Sequence, residues 1–322
     1  MTTPQFIQLY QHNAAAVAQE LLQGLSAPQA FTSPKYLYDA LGSRLFEAIT
    51  ELPEYDLTRT EAKLMRLHSA DMARQLPPGA CWIDLGAGNC EKAGRLLEPM
   101  QAEHYVAVDI SVEFLRQALD NLQRQQPGLH MAGLGTDFSG GLELPDELSL
   151  NPAQPRVLFY PGSSIGNFTP EQALGFLQSL HRACGAAAGS GLLIGVDLVK
   201  DTAEMEAAYD DALGVTAAFD LNLLLHINRL VGSDFAVRDW EHLSRFNAQC
   251  SRVEMHLKAR RDLRVQWPGG ERRFAAGETI HTENACKWTV QNFEALLGSA
   301  GFASTRVWTD PDKRFAVVWA VA

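Results

Sequence analysis

The sequence predicts an α/β fold: a doubly wound, mostly parallel sheet with a second, discontinuous α+β domain over its carboxyl edge. Three observations lead there. From residue 81 onward short apolar runs alternate with helical stretches, the pattern of parallel strands covered on both faces. The first run, Cys81 to Leu85, ends in Gly86-Ala87-Gly88 and then opens a helix, so backbone N–H groups can face a ligand closely. After Asp197 the alternation stops, and a mixed helical and strand-like stretch intervenes before the chain returns to strand–helix character.

Taken in order, the first sixty or so residues read as helical. Asn13 is a candidate cap for a helix reaching Leu25, and Lys35 to Leu52 has helical apolar spacing with a break near Gly42. Thr58-Arg59-Thr60-Glu61 reads as a capping box opening a helix toward Leu76, closed by Pro77-Pro78-Gly79. Strands are expected at 81–85, 104–109, 129–134, 156–160 and 191–196, with helices at 90–99, 111–124 and 170–184. The last helix starts Thr169-Pro170-Glu171-Gln172, a capping box with proline at its first helical position. Leu142 to Pro155 is polar and proline-bearing, a surface loop. Residues 201–231 are expected to be helical, and 251–257 and 262–267 alternate like paired strands. Thr289 to Gly301 returns to helix, and the runs at 304–309 and 315–321 form a terminal hairpin on the sheet edge. The expected boundaries are 61–196 with 287–322 for the sheet domain, and 1–60 with 197–286 for the second domain.

Composition limits what this chain can be. Its 322 residues are 46% hydrophobic and 20% charged, ordinary for a globular protein, and the formal net charge is -11 without a dense Lys/Arg run. Attraction to nucleic acid or an anionic membrane is therefore not its main business. No apolar stretch is long enough to span a bilayer, and MTTPQFIQLYQHN lacks the basic-then-apolar pattern of a secretion signal. Five dispersed cysteines without a C-x-x-C pair point to reduced thiols in the cytoplasm, and nine dispersed histidines predict no metal site. A monomer acting on a small molecule is the expected form.

The chemistry-bearing residues follow the strands. The glycine turn is G-x-G without the third glycine of a dinucleotide fingerprint, which disfavours a nicotinamide-dependent reductase. About twenty residues on, Asp109 ends the second strand, where a carboxylate can accept from both hydroxyls of a ribose. Asp137-Phe138 follows the third strand; the acid can accept from an adenine amine and the ring can cover the base, although a loop acid beside a core ring is the commoner occurrence. This order of residues matches class I methyltransferases, which bind S-adenosylmethionine. After the fourth strand, Tyr160-Pro161-Gly162-Ser163-Ser164-Ile165-Gly166-Asn167 holds more glycine and serine than a turn needs, and Asn167 can both donate and accept.

The segments KYLYDALGSRLFEAITELPEYDLTRTEA, DLGAGNCEKAGRLL, YVAVDIS, GTDF, PGSSIGNFTP, DLVKD, AAYDDALGVTAAFDLNLL, RVEMHLKA, HTENACKW and WTDP run from residue 35 almost to the end. In these the chain resembles the histidine Nα-methyltransferases of ergothioneine biosynthesis. The resemblance implies a class I methyltransferase-type fold, S-adenosylmethionine as cofactor, an amino-acid substrate and stepwise methylation of L-histidine to its trimethylated betaine, hercynine. It places cofactor contacts on Gly86, Gly88, Lys92, Asp109, Asp137 and Phe138. Contacts to the substrate amine and carboxylate fall on Tyr55, Asn167 and Tyr209, with Tyr38 close to the amine, so that Tyr38, Tyr55 and Asn167 orient the reacting nitrogen. The ring pocket falls on Met255, Glu283 and Ala285, the last a position where the family has serine. That exchange opens a second reading: N-methylation of another aromatic amino acid or derived amine, such as tryptophan. A sensing or scaffold protein that kept the fold is the reading outside enzymes.

Overall fold

The computed structural model describes residues 4–9 and 13–322; residues 1–3 and 10–12, part of the stretch read for a secretion signal and of the 1–60 range, lie outside the described residues. The chain starts with β1 (Gln5–Gln8), α1 (Ala14–Ser26), β2 (Ala30–Phe31), α2 (Ala40–Thr50) and α3 (Leu57–Gln75). The alternating part follows as β3 (Cys81–Leu85), α4 (Glu91–Leu97), β4 (His104–Asp109), α5 (Val112–Gln125), β5 (His130–Gly135), β6 (Arg156–Tyr160), α6 (Pro170–Cys184) and β7 (Gly191–Asp197). Then come α7 (Thr202–Ala207), α8 (Val215–Val231), β8 (Trp240–Asn247), β9 (Arg252–Ala259), β10 (Leu263–Trp267), β11 (Gly270–Phe274) and β12 (Thr279–Cys286). The chain closes with α9 (Val290–Ala300), β13 (Ser304–Thr309) and β14 (Phe315–Val321).

The large sheet has the order β1-β5-β4-β3-β6-β7-β14-β13. Its first six strands are parallel, and β14 and β13 join antiparallel at one edge. Every residue of β3 and β7 is buried, because helices cover both faces and leave no polar side to alternate. The strand order reverses between β3 and β6, the place where ligands settle in such sheets. β1, from the range expected in the second domain, pairs with β5 at the far edge of this sheet. A smaller sheet, β2-β12-β9-β8, packs against α8. One continuous apolar cluster runs from Trp82 and Phe159 on the large sheet through Tyr55 and Phe219 to Met255 and Phe274, so the cleft between the parts is walled by shared core.

Four expectations need correction. The break in 35–52 falls at Tyr38-Asp39, not Gly42: Pro34–Leu37 is a 3₁₀ turn, and Asp39 caps α2 by accepting from Gly42 N–H at 2.7 Å. Gly42 is instead a close-approach glycine, since a Cβ there would collide with the Leu37 carbonyl oxygen. The helix of 201–231 is two helices, because Asp211 accepts from Val215 and Thr216 N–H and restarts the chain as α8 after a left-handed Gly214. β9 does not pair with β10; it lies between β8 and β12, while β10 and β11 form their own hairpin through a left-handed Gly269. The fourth is the capping box at Thr58 to Glu61. Asp56 is the cap residue of α3, without a side-chain cap bond, and Glu61 turns into the core.

The terminal hairpin lies where expected, and Asp310 closes it. Its Oδ1 accepts from Arg314 N–H at 2.7 Å and Phe315 N–H at 2.8 Å, and its Oδ2 from Asp312 N–H at 3.1 Å. Replacing it leaves buried backbone donors without partners, at about 1–3 kcal/mol. Asp310→Ala is therefore expected to lower the unfolding free energy by that amount, read as a lower urea midpoint with an unchanged m-value. A midpoint equal to the parent's would show that the turn holds without its cap.

Candidate active site

Two loops leave the sheet at the switch point. β3 runs into Gly86 and Gly88, whose φ of 72° and 52° only glycine adopts readily. Gly86 and Ala87 N–H donate to the Val108 carbonyl, and Gly88 N–H donates to Asp109 Oδ2 at 3.0 Å. Asp109 Oδ1 accepts from Ser111 N–H at 2.9 Å, so this carboxylate stitches the glycine turn to the end of β4. A Cβ on Gly86 would lie 3.8 Å from Phe138 Cζ, which places that ring beside the turn. Asp137 accepts from the N–H and hydroxyl of Ser139 and pairs with Lys35 at 3.2 Å. Burial works to raise its pKa, but these bonds hold it below the ordinary carboxylate range. Gly86, Gly88, Asp109, Asp137 and Phe138 thus gather at the carboxyl ends of three adjacent strands.

β6 runs into the second loop, where Gly162 and Ser163 take left-handed conformations and Ser164–Asn167 forms a 3₁₀ turn. Ser163 Oγ accepts from Asp197 N–H at 2.9 Å, tying the loop to β7. A Cβ on Gly166 would stand 3.1 Å from the Cys286 carbonyl, so glycine there lets β12 approach. Glu61 joins the two loops. Its carboxylate, 1% exposed, accepts from Gly162 N–H at 2.7 Å and from the Lys92 ammonium at 2.9 Å. Lys92 therefore sits between the glycine turn and the second loop.

Beyond Gly162 lies one cavity. Tyr38, Tyr55, Asn167, Tyr209, Met255, Glu283 and Ala285, all the amino-acid contacts expected from the sequence, line it together. Tyr38 stands edge-on to Phe46 and Phe219, and Tyr55 edge-on to Phe46 and Tyr209. Among the described residues the Tyr38 and Tyr55 hydroxyls and the Asn167 amide make no hydrogen bond to protein. These groups line the cavity with their hydrogen-bonding capacity open to it, which fits a polar ligand. Burial holds all three phenols neutral, with pKa values well above the ordinary tyrosine range.

Glu283 reaches this cavity through a β-bulge. β12 pairs regularly with β9 until His281 opposite His256; Thr282 is then the extra residue, and Glu283 pairs with Met255. His281 and Glu283, two apart, consequently take opposite faces. His281 Nε2 lies 3.1 Å from the Glu283 carbonyl, and burial pushes that imidazole down to about 4, so its neutral form donates to the bulge. The Glu283 carboxyl is pushed up to about 8, first by burial and then by the nearby Asp220, with Lys287 opposing.

Lys287, Glu61, Phe46 and Phe219 were not singled out from sequence. Glu61 had a signal, since it falls on the helical stripe of Leu57, Leu64 and Met65 where an acid is out of place. Lys287 had one too, a charge directly after an apolar strand end.

A family model described as histidine-specific methyltransferase, SAM-dependent, matches residues 17–322. The Histidine N-alpha-methyltransferase of Mycolicibacterium smegmatis is 38% identical over 314 residues, covering 96% of this chain and 95% of that protein. That of Mycobacterium tuberculosis is 37% identical over 302 residues, 92% and 91% of the two chains. Ergothioneine biosynthesis protein 1 of Neurospora crassa is 32% identical over 282 residues, 85% of this chain but 31% of the larger protein.

Glu283 also sets a pH dependence of stability. An unfolded glutamate ionises near 4.5, so between about pH 5 and 8 the folded chain holds a proton that the unfolded chain has released. Stability therefore falls as pH rises through that window, by at most about 1.4 kcal/mol per pH unit for one proton. Glu283→Gln removes this term. Its melting temperature is expected to gain on the parent's steadily from pH 5.5 to pH 8 in thermal unfolding of the ligand-free protein. A difference that stays constant across that range would mean the buried carboxyl is already ionised.

Proposed function

Because this chain belongs to the histidine-specific, S-adenosylmethionine-dependent methyltransferases, we propose that it methylates the α-amino nitrogen of L-histidine in successive steps to the trimethyl betaine, hercynine. The observation that carries this reading is the convergence of Tyr38, Tyr55, Asn167, Tyr209 and Glu283 on one cavity next to the Gly162–Lys92 junction. Its phenols and amide suit the head of a free amino acid, and a carboxyl in its wall suits an imidazole.

The residues present fit S-adenosylmethionine. Gly86 leaves the turn open beside Phe138, Asp109 stands at the end of β4 for a ribose, and Asp137 and Phe138 flank the place for a base. Lys92 offers an ammonium toward a carboxylate. The cofactor supplies a methyl group on a sulfonium whose departing thioether is neutral, so strong acid catalysis is not called for.

The protein's share is positioning. Tyr38, Tyr55 and Asn167 hold the amine with its lone pair directed across the cavity, and none of them is assigned as a general base. Each methylation forms an N–C bond as the S–C bond breaks, and the amine's proton passes to solvent before the next transfer. The added methyl groups meet the faces of Tyr38, Phe46 and Phe219, which favour the final charged head through cation–π contact. At the ring end, Glu283 and one imidazole nitrogen share a proton whichever of them carries it. Cofactor binding is assigned to 61–196 with 287–322, and amino-acid binding to 1–60 with 197–286, which face Asn167 across the cavity from the sheet edge.

Mass spectrometry of an incubation with histidine is expected to show additions of one, two and three methyl groups in succession; no methylated product under saturating cofactor would overturn the assignment. Asn167→Ala is expected to weaken histidine capture by tenfold or more while S-adenosylhomocysteine affinity stays near the parent's. Equal losses for both ligands would remove Asn167 from the amino-acid site. Ala285 favours a second reading, since with Met255 it leaves the ring end of the cavity largely apolar. Histidine is expected to outcompete tryptophan, and faster turnover of tryptophan would reverse the substrate assignment.

A further inference from the structure

We propose that Lys287 is a positioning residue that makes the Tyr209 hydroxyl donate into the cavity, toward a substrate carboxylate. The proposal rests on the reading of this cavity as an amino-acid site. Lys287 follows β12 with its side chain 1% exposed, among the most enclosed charges in the described chain, and it lines the cavity itself. Its ammonium donates to Asp197 Oδ2 at 2.7 Å and to the Tyr209 hydroxyl oxygen at 3.0 Å.

An ammonium has donors only, so Tyr209 is the acceptor in that bond and its own proton must point elsewhere. Among the described residues no protein acceptor takes that proton, and the cavity is what Tyr209 lines. Burial keeps the phenol neutral, so the proton is present to be given. The backbone of Tyr209 is held as well: His242 sits between the Tyr209 carbonyl at 2.8 Å and Asp220 at 2.7 Å. Tyr209 is thus fixed as a donor facing inward.

The local charges point the same way. Asp197 has two ammonium partners, Lys287 and Lys200, each at 2.7 Å, and together they hold its carboxylate below the usual range despite burial. Lys200 lies also 3.6 Å from Asp56, which Arg314 shares, and Arg314 continues to Glu204 at the rim. Glu283, the other acid near Lys287, is largely protonated at neutral pH. Lys287, Lys200 and Arg314 match Asp197, Asp56 and Glu204 in charge, so Lys287 acts on the cavity through the Tyr209 proton that it directs there, which a carboxylate can accept. An amine lacking that carboxylate gains nothing from it.

The test compares histidine with histamine, which has the ring and the amine but no carboxylate. Affinities are measured by calorimetry on the S-adenosylhomocysteine complex of the full chain. Lys287→Met is expected to weaken histidine by at least tenfold, change histamine by less than twofold and leave the S-adenosylhomocysteine affinity intact; Lys287→Arg is expected to recover part of the histidine loss. Tyr209→Phe is expected to cost histidine affinity in the parent and little more in the Lys287→Met background. Equal losses for histidine and histamine, or additive losses for the two substitutions, would overturn the proposal. If Lys287→Met loses S-adenosylhomocysteine binding through misfolding, Lys287→Arg and Tyr209→Phe carry the same comparison, and an unchanged histidine-to-histamine ratio in both would overturn it. Failure of the parent to bind histidine at all would instead sink the amino-acid reading, a result separable from any variant.

Discussion

The buried carboxylate of Glu61 is the constraint on which the rest of the site depends. A charge that far from water is tolerated only when paired and hydrogen-bonded. Here one oxygen takes the Gly162 N–H and the other the Lys92 ammonium, so a single side chain from α3 clamps the first turn of α4, which follows the glycine turn, to the loop after β6. The sheet makes room for it: a Cβ on Gly195, in the middle of β7, would collide with Glu61 Oε1. A glycine inside a central strand ordinarily weakens it, and here it marks the close passage of another group. The two walls of the crevice are held at their separation by this clamp before any ligand arrives.

The second wall approaches through backbone, not side chains. Gly166 lets β12 come against the loop after β6, and the bulge at Thr282 then puts Glu283 and Ala285 on the cavity face. Lys287, just beyond β12, reaches back to Asp197 at the end of β7. The smaller sheet is thereby tied to the large one at a strand end where the loop after β6 is also tied, through Ser163 to Asp197 N–H. Asp197 serves both attachments, one through its backbone and one through its side chain.

This division explains what could be read from the sequence. The five parallel strands from 81 to 197 were legible nearly to the residue because strands buried on both faces are unbroken apolar runs, and the terminal hairpin because Asp310-Pro311-Asp312 separates its two runs. The helix starts at Asn13, Thr169 and Thr289 were legible because their side chains bond the first-turn amides as the capping pattern requires. β8 and β12 were not, since each keeps polar residues on one face and reads as irregular. Glu61 misled for a physical reason: an acid three residues into a helix after Thr58 has the local pattern of a capping box, and only tertiary contact turns it inward. The tyrosines were legible as a set through family resemblance alone, since one tyrosine on a helix says nothing of what its hydroxyl faces. Lys287 and Glu61 act through partners more than seventy residues away in the chain, Asp197, Tyr209 and Gly162, and no local pattern records such pairs.

The electrostatics of the cavity narrow the chemistry it can support. Its phenols stay neutral, its glutamate keeps a proton to about pH 8, and its fixed charges, Lys287 with Asp197 and Lys92 with Glu61, stand paired at its edges. Such a site offers no strong base to a reacting nitrogen. It offers donors, acceptors and aromatic faces in fixed places, which is what transfer between a sulfonium and an amine demands, because the electron pair moves without a proton being delivered to the leaving group. Two hydroxyls and an amide in the cavity wall keep their hydrogen-bonding capacity for a ligand, and one carboxyl there is held unionised by burial. Groups placed in this way discriminate by hydrogen bonding, since an analogue that lacks the matching donor or acceptor leaves one of them unpaired.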